Sequence, residues 1–150
     1  MSKATLPLAI VLIAWLFTGC TTYMIPMDSF RKQFGNIDSS GLRQVRTTGL
    51  IPTIVGDSPY LVNYWKIIHC EDKDHHDKIL LNSPSIEIRF THGAHHRKTV
   101  FYFDTIFLTD STVSGLQSRF ITKLRKTLYL NSITKIEVQD GHKQFKYTNP

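Results

Sequence analysis

Ser85-Ile86-Glu87-Ile88-Arg89-Phe90-Thr91 alternates apolar and polar side chains without a break. A period of two is the mark of a strand with one face buried and the other in water. It turns Ile86, Ile88 and Phe90 inward and leaves Glu87 and Arg89 outside. The same vocabulary recurs on both sides. Upstream, Leu61-Val62-Asn63-Tyr64-Trp65-Lys66-Ile67-Ile68 is rich in β-branched and aromatic residues, and Ile79-Leu80-Leu81 follows the polar turn 71–77. Downstream, residues 92–97 hold Gly93 and read as a turn. Val100-Phe101-Tyr102-Phe103 and Ile106-Phe107-Leu108 are apolar on both faces, which predicts central strands. Asp140-Gly141 suits a two-residue hairpin turn, whose register sets Ile136 opposite Phe145 and Thr134 opposite Tyr147. The expectation is a mainly β domain over residues 60–150, either a small antiparallel sandwich or a partly open barrel of about six to eight strands.

Ahead of that domain, residues 20–59 carry much Thr, Ser, Gly, Arg and Pro, and they read as a tether. Within it, Asp28-Ser29 precede Phe30-Arg31-Lys32-Gln33-Phe34, a candidate short helix with Phe30 and Phe34 on one face. Residues 1–19 differ again. Lys3 is the sole charge before Cys20, ten apolar residues run from Leu8 to Phe17, and Thr18 and Gly19 are small. A basic start, an apolar stretch and a small-residue end make an export leader. Its apolar run falls short of the roughly 20 residues that span a bilayer.

Leu16-Phe17-Thr18-Gly19-Cys20 resembles the lipobox of bacterial lipoproteins. The match rests on Gly19 and Cys20 with small Thr18 before them; it departs at Phe17, where Leu is usual. The resemblance implies cleavage between Gly19 and Cys20 and a covalent lipid on the Cys20 thiol, with no other cofactor. Thr21 and Thr22 stand where an Asp would signal retention at the inner membrane. The resemblance therefore implies the outer membrane, on its periplasmic face by default. Two or three acyl chains hold a protein firmly where one is marginal. A lipidated Cys20 cannot pair with Cys70, which is expected to be a lone thiol in a strand.

Residues 84–147 also resemble a group of small, uncharacterised lipoproteins of Bacteroidetes. The residues that carry this are 84–91, Phe101-Tyr102-Phe103-Asp104-Thr105, Gly115, Ser118-Arg119-Phe120 and 136–141. It implies an envelope location and brings no activity or catalytic residue with it.

Composition and motifs narrow the chemistry. Removing the leader takes away Lys3 alone among the charged residues, leaving 17 basic and 12 acidic side chains and a net charge of +5. Arg119, Lys123, Arg125 and Lys126 form the densest cationic cluster. It reads as a patch for an anionic partner such as lipid headgroups or an acidic glycan, or as a solvated edge strand or helical turn guarded by charge. Expected partners are membrane lipid through Cys20 and an envelope protein or acidic glycan. Export takes the protein away from nucleic acid.

Seven histidines are an excess for this length. His75, His76, His95 and His96 lie in two turns and are candidate metal ligands if those turns share one end of the sheet. No HExxH or paired-cysteine spacing accompanies them. A metal-binding protein is thus the alternative to a non-enzymatic binding or structural role. Neither GxSxG, a phosphate loop nor GxGxxG after a strand is present, so no enzyme is expected. Asp104 and Asp110 flank an apolar strand and read as a bend and a turn rather than a catalytic carboxylate pair.

Overall fold

The computed structural model of the chain describes residues 21–35, 41–48, 59–63 and 65–148. Gly19 and Cys20 lie outside these residues. The fold is mainly β. Its strands are β1 (Thr22–Met24), β2 (Leu42–Thr48), β3 (Tyr60–Asn63), β4 (Ile67–Glu71), β5 (Asp77–Leu81), β6 (Ile86–His92), β7 (Arg97–Tyr102), β8 (Phe107–Leu108), β9 (Thr112–Leu116), β10 (Arg125–Tyr129), β11 (Ile133–Asp140) and β12 (Lys146–Thr148). One helix, α1 (Met27–Phe34), follows β1. All pairings are antiparallel, in one six-stranded sheet ordered β5-β4-β1-β11-β6-β7 and two three-stranded sheets ordered β10-β9-β8 and β12-β2-β3. Ten of the twelve strands among the described residues fall within 60–150, more than the expected six to eight. Several are pieces of two or three residues, too short for a period of two to register.

The alternation over 85–91 is realised in the register. Tyr23, Val138, Ile88 and Phe101 form one row across four strands. The side chains of Val138, Ile88 and Phe101 are fully buried on the inner face. The next row, Met24, Glu137, Arg89 and Val100, points outward. There Arg89 pairs with Glu137 at 3.9 Å and Lys135 with the same carboxylate at 2.7 Å. Helix α1 covers the inner face with Phe30 and Phe34, whose rings meet at 4.7 Å. Phe30 touches Phe90 at 5.6 Å and Phe34 touches Phe103 at 5.1 Å, so one aromatic seam runs from helix to sheet. Val113 and Leu128 close the core from the β8–β10 side.

Three expectations need correction. Part of the stretch read as a tether is inside the fold: β1 lies between β4 and β11, α1 covers the core, and β2 pairs with β3. Polar composition misled because β1 and α1 are too short to carry a long apolar run. Pro26 stands at the N-cap with an extended backbone (φ −56°, ψ 142°), the helix proper starts at Met27, and neither Asp28 nor Ser29 occupies the capping position.

Asp140-Gly141 is not a hairpin turn. The Gly141 N–H donates to Ser85 O at 3.0 Å, the chain leaves the sheet, and β12 pairs with β2. Residues 100–103 and 106–108 are not central strands either, since β7 and β8 are sheet edges. Their second apolar face is covered by loops, with Phe145 packed against Tyr102 at 6.2 Å between ring centres.

Where β1 ends, α1 completes the sheet. The Gln33 side chain donates from Nε2 to His69 O at 2.9 Å and accepts the His69 N–H on Oε1 at 3.0 Å. A primary amide thus takes the place of a strand residue beside β4, and each bond is worth about 1 kcal/mol.

Candidate functional site

The loop 117–124 joins β9 to β10, and Arg119 at its root is 2% exposed. That removes Arg119 from the surface patch expected of it. Its Nη1 and Nη2 donate to Asp104 Oδ2 at 2.9 Å and Oδ1 at 2.8 Å, a two-pronged pair with a fully buried carboxylate. Asp104 stands in a single 3-10 turn, Phe103–Thr105, that follows β7. Tyr147 on β12 donates its hydroxyl to Asp104 Oδ2 at 2.6 Å. Arg119 also donates to the Tyr60 hydroxyl, which is bonded in turn to Thr47 Oγ1. The guanidinium lies 4.0 Å from the Tyr102 ring centre and 5.7 Å from that of Phe145.

This cluster joins all three sheets. Burial works against charge on Arg119, but the Asp104 carboxylate overrides it and holds the guanidinium above its ordinary pKa. Burial, with Asp104 adding to it, pushes the Tyr147 hydroxyl up as well. The pair is closed in by rings and hydroxyls. Asp110 is exposed on the turn before β9, so Asp104 and Asp110 do not face a common cleft.

Beyond its buried root the loop is amphipathic. Phe120, Ile121 and Leu124 are 45%, 53% and 47% exposed, and Lys123 stands among them. Arg125 and Lys126 begin β10, an edge strand. Arg125 lies 5.0 Å over the Phe107 ring, and Lys126 donates to Thr99 Oγ1 at 3.2 Å. Of the expected patch, Lys123, Arg125 and Lys126 therefore remain at the surface. The apolar tip was not read as a site from the sequence. A signal was there: no Asp or Glu occurs from residue 111 to residue 136, so this hairpin is wholly cationic. Nothing in the sequence marked Tyr60, Thr47 and Tyr147 as partners of Arg119.

The histidines do not converge. β4 is antiparallel to β1, β1 to β11 and β11 to β6, so the turns after β4 and after β6 leave the sheet at opposite ends. His75 and His76 occupy the first of these turns, His95 and His96 the second. Turn geometry accounts for several of them. His75, His96 and His142 have φ of 61°, 48° and 49°, in the left-handed region where histidine is enriched among non-glycine residues.

Asp72, Asp74 and His76 bring possible ligand atoms within 4.8 Å of one another on an exposed turn. The Asp72 carboxylate is already used there. It accepts the N–H groups of Asp74 at 2.9 Å and His76 at 3.0 Å and pairs with Lys78 at 3.3 Å. The His76 amide above all holds its pKa down to about 2.

Cys70 is buried in β4. Burial first, and neighbouring Glu71 second, push its thiol up to about 11. Thiolate is the reactive form, so native Cys70 is expected to resist iodoacetamide at neutral pH and to react at once in denaturant. The sign for stability follows: an unfolded thiol ionises near 9, so the native state loses ground as pH rises from about 9 to about 11. Alkylation followed by mass spectrometry, with and without urea, checks the first expectation.

A cavity of about 490 Å³ is walled by Trp65, Tyr147, Asn63 and Asn82, with Arg43 and Lys66 contributing cationic side chains. Asn63 spends both amide hydrogens on Phe103 O at 3.1 Å and Ile106 O at 3.0 Å. The Oδ1 atoms of Asn63 and Asn82 have no hydrogen-bond partner among the described residues. Among those residues, no helix is long and apolar enough to cross a membrane. Comparison of the chain with family models, with curated proteins and with solved structures finds no match.

Proposed function

We propose that this chain is a lipid-anchored cell-envelope protein of the outer membrane with a non-enzymatic binding role. The observation that carries the reading is Thr18-Gly19-Cys20 following the ten-residue apolar stretch Leu8–Phe17, with Lys3 the single charge ahead of that stretch. The thiol is the atom that accepts lipid, and small residues before it let a peptidase reach the backbone. The fold adds a consequence: β1 starts at Thr22, two residues after Cys20. Two residues span about 7 Å at most, so the folded body would sit against the bilayer rather than on a long leash.

The metal-binding alternative needs His75, His76, His95 and His96 together, and opposite ends of a sheet do not offer that.

Cys20→Ala tests the anchor. The variant is expected to lose palmitate labelling and to leave the membrane fraction or keep its leader uncut. Undiminished palmitate labelling of Cys20→Ala refutes the assignment.

A further inference from the structure

We infer that the loop joining β9 and β10 seats the domain on an anionic phospholipid surface, beside the point where the chain arrives from Cys20. The inference rests on the reading of Cys20 as the anchor and extends it to the protein's own surface. Phe120, Ile121 and Leu124 crowd onto one loop, each about half exposed. The loop is braced rather than collapsed. Gln117 N–H donates to Leu124 O at 2.9 Å across its base, and Leu124 N–H donates to Ile121 O at 2.9 Å. Ser118 Oγ accepts the N–H groups of Phe120 and Ile121, both at 3.2 Å. The buried Arg119 pins its root. A preorganised loop of this kind gives up little further freedom when its apolar side chains enter a new surroundings.

Charge selects the occupant. Lys123 and Arg125 are exposed, Lys126 follows, and the hairpin contains no acid to oppose them. Apolar side chains ringed by cations match the bilayer interface, where headgroup phosphates lie just above acyl chains.

Position supports the same occupant. Thr22 pairs with Gln139, Gln139 with Glu87 and Glu87 with Tyr102. Three strand spacings, about 15 Å, separate Thr22 from Tyr102 along that row. The Phe145 ring lies 6.2 Å from Tyr102 and 6.1 Å from Phe120. The chain's entry and the apolar tip thus belong to one end of the molecule. Lys143, paired with Glu87, stands at that end as well. The acids nearby are both engaged, Glu87 by Lys143 and Asp140 by Ser85 and the His142 amide. An acylated Cys20 and the loop tip can therefore meet the same leaflet.

The test uses the full chain carrying Phe120→Trp, with Trp65 as the internal reference packed against Phe34. The protein is purified from membranes and reconstituted into vesicles of phosphatidylcholine, with or without an equal part of phosphatidylglycerol, whose acyl chains are brominated. The indole at position 120 is expected to be quenched in the anionic vesicles and that of Trp65 not. Lys123→Glu with Arg125→Glu should cut vesicle binding of the loop at least about tenfold, with an unchanged melting midpoint as the control for folding.

An unquenched indole in protein whose mass includes the Cys20 lipid overturns the inference and leaves the anchor reading standing. If the mass lacks that lipid, the anchor reading fails, and quenching on added anionic vesicles still decides the surface by itself. Quenching equal in neutral and anionic vesicles overturns the charge argument. Crosslinks from position 120 to a protein or to a second copy of this chain, without quenching, overturn it in favour of a protein partner.

Discussion

Arg119→Met is expected to cost about 3–5 kcal/mol of folding stability, because it leaves the fully buried Asp104 carboxylate without its counter-charge. That is a large share of the 5–15 kcal/mol typical of a whole domain. Asp104→Leu should cost as much, by stranding the guanidinium. The double variant Arg119→Met with Asp104→Leu should recover much of the loss, since a buried pair is often replaceable by apolar groups of similar volume. Urea unfolding of the two singles and the double closes the cycle. Additive losses would mean that the two side chains do not act as a pair. Tyr147→Phe removes one donor to Asp104 and is the milder member of the series.

Gly115→Ala is the second large effect. A Cβ there would stand 2.6 Å from Phe101 Cγ and 2.8 Å from its Cβ and Cδ2. These atoms lie at the base of a fully buried ring, so they cannot swing away without moving β7. Overpacking of this kind costs about 1–3 kcal/mol and sometimes more. Phe101→Ala alone leaves a cavity and costs about 3–5 kcal/mol. Gly115→Ala made on top of Phe101→Ala should cost far less than it does alone. A midpoint that falls by the same amount in both backgrounds would show that the ring is not what excludes the methyl group.

Legibility followed length and locality. The alternation over 85–91 sets β6, its inner face and, through Glu87 and Arg89, its outer face, because a seven-residue strand gives a period of two room to repeat. Phe30 and Phe34 were legible for the same reason: four residues are one helical turn. β1, with three residues, carries no period, and its pairing with β11 is set by tertiary contact alone. Asp140-Gly141 shows the opposite failure. The local turn chemistry was right for a hairpin, but Gly141 N–H and the Asp140 carboxylate are taken by Ser85, and β12 gains a partner in β2. Arg119 read as one of four surface cations, since nothing near it in sequence announces Asp104, fifteen residues earlier, as its mate. Lys123, Arg125 and Lys126 are exposed, with Lys126 reaching back to Thr99 and Arg125 lying over the Phe107 ring.

The place of β1 has a bearing on biogenesis. Thr22 waits for Gln139, so the middle of the largest sheet stays open until more than a hundred further residues, through β11, have been made. A chain whose first segment is the last to be zipped in folds slowly for its size. If the chain is exported as proposed, such delay would keep it extended for passage through a secretion channel. It also means that a product truncated before β11 would leave β1 and β6 each without their shared partner, two unsatisfied edges at once, and would be prone to clump.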